Sequence, residues 1–157
     1  MVCKGFQECH SSRVKVKGCN DCLIITNESK PTVEENNISF TIYNKSRQTS
    51  LKFRVDNGII CGVDEVRCDY LIMFPDCVKA FYIELKGQGW RKALQQLHNT
   101  YKLLHPEMIK YIPHLRAVVN NDVPNTRYIQ EMKVLKDIRR SYPLATLEVS
   151  SKFKDEV

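Results

Sequence analysis

Two apolar runs separated by a short polar break constrain this chain more than any other feature. Tyr70-Leu71-Ile72-Met73-Phe74 and Ala80-Phe81-Tyr82-Ile83 lie on either side of Pro75-Asp76, and neither alternates polar with apolar residues. Runs this short and continuous predict buried strands joined by a turn. With Leu51–Val55 before them, the extended stretches 51–55, 66–74 and 79–86 predict an antiparallel meander broken at Asp56-Asn57-Gly58 and Pro75-Asp76. At Trp90 the period changes. Trp90, Ala93, Leu94, Leu97, Tyr101 and Leu104 recur at helical spacing until His105-Pro106 stops them. A buried strand over 115–119, a second helix over 126–141 capped by Asn125 or Thr126, and a final strand over 145–149 complete the pattern. The expected order from residue 51 is therefore β-β-β-α-β-α-β, an α/β (α+β) domain.

The chain is 157 residues long and 43% hydrophobic, which fits one globular domain over 1–157 and excludes disordered, fibrous and repeat architectures. Residues 1–50 form an N-terminal extension expected to be β-rich, with strands over 13–17, 22–26 and 38–43 separated by polar stretches at 27–37 and 44–50. No apolar stretch approaches the roughly 20 residues that cross a bilayer, so no membrane partner is expected. The first twelve residues lack the charged start and apolar middle of a secretory signal, which favours a cytoplasmic location.

The formal charge of +6 is concentrated. Between Lys86 and Arg116, six cations face only Glu107, a net of +5; residues 127–140 add +3. A basic segment on an otherwise near-neutral domain suits a polyanion, because neutralised phosphates release counterions. A solvated helix face is the alternative on charge alone. Arg91, Lys92 and Lys102, on the predicted helix after Lys86, are the candidate nucleic-acid contacts.

Charges inside strands built to be buried are the sharper signal, since an unpaired buried charge costs several kcal/mol. Asp69 opens the run that ends at Phe74, and the run from Ala80 ends in Glu84-Leu85-Lys86. Strand geometry sets Glu84 and Lys86 on one face and Leu85 on the other. If the two strands pair, two carboxylates and an ammonium converge at one end of the sheet. The triplet alone means little, because Glu28-Ser29-Lys30 and Glu131-Met132-Lys133 match it too. Only Glu84-Leu85-Lys86 follows an apolar strand, has an upstream strand aspartate and precedes an amphipathic helix.

On these residues, together with Ala93-Leu94-Gln95-Gln96-Leu97, the stretch 51–120 resembles the PD-(D/E)xK nuclease superfamily, the restriction-endonuclease-like fold. Arg67-Cys68-Asp69-Tyr70-Leu71-Ile72 and Ile83-Glu84-Leu85-Lys86-Gly87 are also similar to small bacterial and phage proteins of that superfamily. The resemblance implies a mixed central sheet flanked by helices. It implies a metal-dependent endonuclease that hydrolyses phosphodiester bonds by Mg2+-activated water, with DNA favoured over RNA. Asp69 and Glu84 would hold Mg2+ or Mn2+ with the backbone carbonyl of Leu85, Lys86 would contact the attacking water or the scissile phosphate, and Gln96 would face the site. A homodimer or partner subunit would be needed for double-strand cleavage. The chain departs from the family in having Cys68 where the name-giving proline stands. It also shows no amphipathic helix at 27–50, where Glu34 and Glu35 are the candidates for the extra acid that family cores often carry there.

Seven cysteines in a chain without a secretory signal are expected to be thiols or metal ligands. Cys19-Asn20-Asp21-Cys22 has the two-residue gap of zinc knuckles, and with two of Cys3, Cys9 and His10 it could complete a tetrahedral Zn2+ site; buried thiols are the competing reading. Two other function classes stand beside the nuclease. One is a catalytically silent nuclease-fold module that binds nucleic acid or protein; the other is a zinc-ribbon interaction protein whose function resides in residues 1–26.

Overall fold

The computed structural model describes residues 2–14, 22–120, 125 and 127–157. The elements are α1 (Phe6–Ser12), β1 (Leu23–Thr26), β2 (Thr32–Glu35), β3 (Ile38–Thr41), β4 (Ser50–Arg54), β5 (Tyr70–Phe74), β6 (Lys79–Gly87), α2 (Trp90–Leu104), a 3-10 turn His105–Glu107, β7 (Ile112–Val119), α3 (Arg127–Arg139) and β8 (Thr146–Ser150). From β4 onward the order is the one expected from the sequence.

Six strands form one mixed sheet in the order β1-β4-β5-β6-β7-β8. β1, β4, β5 and β6 pair antiparallel, whereas β6-β7 and β7-β8 pair parallel. Connection length fits the pairings around β6: the tight turn at 75–78 returns the chain antiparallel from β5, while the crossovers through α2 and α3 are long enough to bring it back parallel. The apolar runs of β5 and β6 are continuous because both faces of the sheet are covered. On one face Leu71, Met73, Ala80 and Tyr82 pack with Trp90, Ala93, Leu94 and Leu97 of α2, Ile138 of α3, and Phe6 and Cys9 of α1. On the other, Ile72, Phe74, Phe81, Ile83 and Leu85 meet Val33 and Phe40 of the β2–β3 hairpin and the C-terminal Phe153 and Val157. That tail is held by Arg116, whose guanidinium makes two bonds of 2.8 and 2.7 Å to the Asp155 carboxylate.

Several expectations need correction. The strand expected from Val66 begins only at Tyr70, because side chains of α2 capture the backbone that precedes it. Gln96 donates to the Arg67 carbonyl at 2.9 Å and Thr100 Oγ1 accepts from the Cys68 N–H at 2.8 Å, so those groups are unavailable to a ladder. Asp56-Asn57-Gly58 does turn the chain, with Gly58 N–H bonded to Val55 at 3.2 Å, but a long connection then runs to Asp69. Of the strand expected over 13–17, Arg13 and Val14 belong to the turn after α1 and residues 15–17 lie outside the described residues. The polar stretch 27–37 contains β2, which the sequence pattern did not indicate.

Candidate active site

The end of β6 is where the strand geometry becomes unusual. Leu85 is opposite Val118 and Gly87 opposite Val119, so Lys86 is an inserted residue without a partner on β7. Such a bulge re-aims the side chain it carries. Gly87 makes it feasible: its φ of +68° favours glycine, and a Cβ there would stand 3.1 Å from Ile38 Cδ1, so that side chain of the hairpin would have to give by a few tenths of an ångström.

Asp69 immediately precedes β5, whose residue Tyr70 is paired with Ile83 of β6. Its backbone N–H reaches the Ile83 carbonyl at 3.1 Å, and its Oδ2 accepts from the Leu85 N–H at 2.7 Å. The carboxylate is thereby tied to the middle of the Glu84-Leu85-Lys86 triplet. Residues 69, 71 and 73 share the α2 side of the sheet with 80, 82 and 84, so Asp69 and Glu84 are on the same face while Leu85 points to the hairpin side. The convergence expected from the sequence of two carboxylates beside Lys86 is therefore present.

The electrostatics of the pair are those of charges wanting a cation. Glu84 is only 2% exposed, and its Oε2 has no hydrogen-bond partner. Burial first, then repulsion from Asp69, raises its carboxyl from 4.5 to about 8, with Lys86 opposing and Glu35 and Asp56 adding to the rise. Asp69 is raised from 3.8 to about 6, mainly by burial, against the Leu85 hydrogen bond and the attraction of Lys86. Asp69 also lines a cavity of about 320 Å3 with Glu35, Arg54, Asp56, Asn57 and Tyr70.

Four of those lining residues, Arg54, Asp56, Asn57 and Tyr70, were not among the site residues expected from the sequence. Asp56 is ion-paired to Arg67 at 2.5 Å, and the exposed Arg54 donates to the Asn57 carbonyl at 3.2 Å. Tyr70 donates to the Glu34 carbonyl at 3.2 Å, pinning the hairpin beside the cavity. Glu35 reaches the cavity from a strand, where the family resemblance placed its extra acid on a helix. A signal existed for that hairpin: Asn36 and Asn37, both at positive φ, form the two-residue turn between Glu35 and Ile38 that asparagines favour.

Among the described residues Gln96 makes no hydrogen bond to Asp69 or Glu84. Its amide N–H serves the Arg67 carbonyl, its Oε1 is buried without a partner, and it lines a second cavity of about 250 Å3 with Asp56, Arg67 and Lys92. Of the other basic candidates, Arg91 lies over the Trp90 ring at 4.5 Å. Lys102 is ten residues further along α2 than Lys92, about 15 Å at helical rise. The charge is strung along the helix rather than gathered at the carboxylates.

Among the described residues no three His, Cys, Asp or Glu side chains form a metal-binding group. Two carboxylates, Asp69 half-buried and Glu84 buried with an orphaned oxygen, fit an ion that takes few protein ligands and retains water, as Mg2+ does. They do not resemble a closed zinc or calcium cage. Of the zinc candidates, Cys9 and Cys22 are part of the main core, Cys3 packs against it, His10 is buried, and Cys19 lies outside the described residues. Among the described residues Cys9, Cys68 and Cys77 are free thiols. Among the described residues no helix is long and apolar enough to cross a membrane.

No family model matches the chain, and no curated protein or solved structure is significantly similar to it.

Proposed function

We propose that this protein is a metal-dependent nuclease of PD-(D/E)xK type, with a restriction-endonuclease-like core, that hydrolyses phosphodiester bonds of DNA in preference to RNA in the cytoplasm. The observation that carries the reading is the orphaned, buried Glu84 Oε2 on the same sheet face as Asp69, at a strand end where a bulge sets Lys86 beside both. An isolated buried carboxylate is costly, and a structural ion pair with Lys86 would have satisfied the oxygen that stands without a partner.

Asp69, Glu84 and the Leu85 carbonyl would hold Mg2+ or Mn2+. The ion would neutralise charge on the non-bridging phosphate oxygens and activate the attacking water. The chain's own contribution is positional. The Leu85 N–H fixes the Asp69 carboxylate, burial keeps Glu84 from being solvated, and Lys86 supplies a positive charge for the scissile phosphate. Lys92 and Arg91 extend that positive charge along α2, where a nucleic-acid backbone would lie. Double-strand cleavage would require a second copy or partner subunit, since the described residues hold one such site.

One observation favours a second reading, a catalytically silent module of the same fold: Gln96 is engaged with the Arg67 carbonyl and not with the carboxylates. Wild type and Asp69→Ala on labelled single- and double-stranded DNA and RNA, with Mg2+, Mn2+ or chelator, separate the two. Metal-dependent cleavage that Asp69→Ala abolishes supports the nuclease; binding without cleavage under every condition supports the silent module.

A further inference from the structure

We propose that the outer side of α3 is a docking surface for an acidic amphipathic segment of another protein. The helix is apolar on two sides. Its inner side packs Val134, Leu135 and Ile138 against the main core. On the outside, Tyr128, Ile129 and Met132 are 53%, 64% and 59% exposed, and they line one shallow groove of about 420 Å3 with Lys133 and Lys136. A helix whose inward face is already buried is normally polar outward. Scattered exposed apolar residues need no explanation, but three that adjoin along one groove mark a surface that another molecule covers.

The charges around the groove identify the kind of occupant. Among the described residues, the ion pairs of α3 engage Arg127 with Glu131 and Asp137 with Arg140, and Asp137 is also hydrogen-bonded to His98. Lys133 and Lys136 take no part in them. Three residues apart, they occupy one side of the helix and border the apolar floor with unneutralised positive charge. A second copy of this chain would bring the same two lysines to the same border, which like-charge repulsion opposes. A nucleic acid would meet a floor of Ile129 and Met132 with no group to address a base edge, and the Tyr128 ring already lies under the Arg127 guanidinium at 4.6 Å. An amphipathic helix carrying apolar anchors flanked by carboxylates satisfies both the floor and the border. This surface belongs to a different element from the carboxylates at the end of β6 and does not depend on the nuclease reading.

The test uses the full chain and two fluorescein-labelled helical peptides with the same leucine stripe, one flanked by glutamates and one by lysines, plus a 12-nucleotide single strand. The glutamate peptide should bind saturably, with the lysine peptide at least about tenfold weaker, a difference of about 1.4 kcal/mol. Lys133→Glu with Lys136→Glu should reverse that preference. Met132→Glu should abolish binding while leaving the melting temperature and circular dichroism unchanged, since the side chain is outside the core. No saturable binding of the glutamate peptide overturns the proposal, as does equal binding of the two peptides. A concentration-dependent dimer that Met132→Glu dissolves would assign the surface to a second copy. Oligonucleotide binding lost in the same variants would assign it to nucleic acid. Either result overturns the proposal.

Discussion

Replacing Glu84 by glutamine should stabilise the metal-free protein at alkaline pH. In the folded chain the Glu84 carboxyl titrates near 8 rather than 4.5, so the native state holds the proton more tightly than the unfolded chain does. The stability it contributes is full below about pH 4.5 and is lost as pH rises through about 8. At about 1.4 kcal/mol per tenfold change in proton affinity, the loss is on the order of 4 kcal/mol, and it is shared with Asp69, which repels the same charge. For a chain of this size that corresponds to a fall in melting temperature of roughly 10 °C. The assay is thermal unfolding in chelator from pH 4.5 to 9, for wild type and Glu84→Gln. Wild type should lose stability across that range while Glu84→Gln loses much less, keeping a near-isosteric amide without the charge. Millimolar Mg2+ should restore part of the wild-type loss and leave Glu84→Gln unchanged. Equal pH profiles for the two proteins would refute the claim that Glu84 is a buried carboxylate without a compensating partner. A Mg2+ effect of the same size in both would refute its role in holding the ion.

Other side chains give independent predictions. His105 should make the fold acid-sensitive: its Nε2–H donates to the Tyr111 carbonyl at 3.0 Å, its Nδ1 accepts from Tyr82 OH at 2.8 Å, and burial lowers it from 6.5 to about 4. With the folded value below the unfolded one, stability is full above pH 6.5 and is lost as pH falls through about 4, by roughly 3 kcal/mol; denaturant titrations at pH 4 and 7 on wild type and His105→Gln measure it, and an equal loss in both would assign the acid sensitivity elsewhere. Thr100→Val keeps the shape but strands the buried Cys68 N–H, so chemical denaturation should show a loss of about 1–3 kcal/mol; a neutral result would mean that the segment entering β5 is not held by α2. Gly87→Ala places a Cβ at positive φ against Ile38 and should cost about 1–2 kcal/mol in the same assay. Its cleavage rate should fall further than its stability explains, because the bulge that aims Lys86 is distorted, and an unaltered rate would dissociate the bulge from function.

How much of this was legible in the sequence depended on which forces fix each element. The β6–α2 unit was readable because hydrophobic burial dominates it: a continuous apolar run, two glycines, then a 3.6-residue period. The convergence of Asp69 with Glu84 followed from strand alternation once β5 and β6 were adjacent. The start of β5 was not readable, since apolar Val66 looks like strand and only the tertiary bonds from Gln96 and Thr100 divert the backbone there. α1 escaped notice because it is seven residues long and ends in Ser11 and Ser12, whose hydroxyls bond back to the Gln7 and Glu8 carbonyls. β2 is polar with a single buried residue, Val33, so its strand character comes from pairing with β3 rather than from its own pattern. The inserted Lys86 could not be anticipated either, because a bulge is a relation between two strands.

The central claim, metal-dependent hydrolysis at the carboxylate pair, is tested most directly by the single-turnover rate at which labelled DNA is cut in Mg2+ by wild type, Asp69→Asn and Lys86→Met, each first shown to melt cooperatively. The account predicts cutting by wild type that chelator abolishes, and a rate reduced by about 100-fold or more in both variants. Undiminished cutting by the two folded variants, or none by wild type on any DNA or RNA, would contradict it.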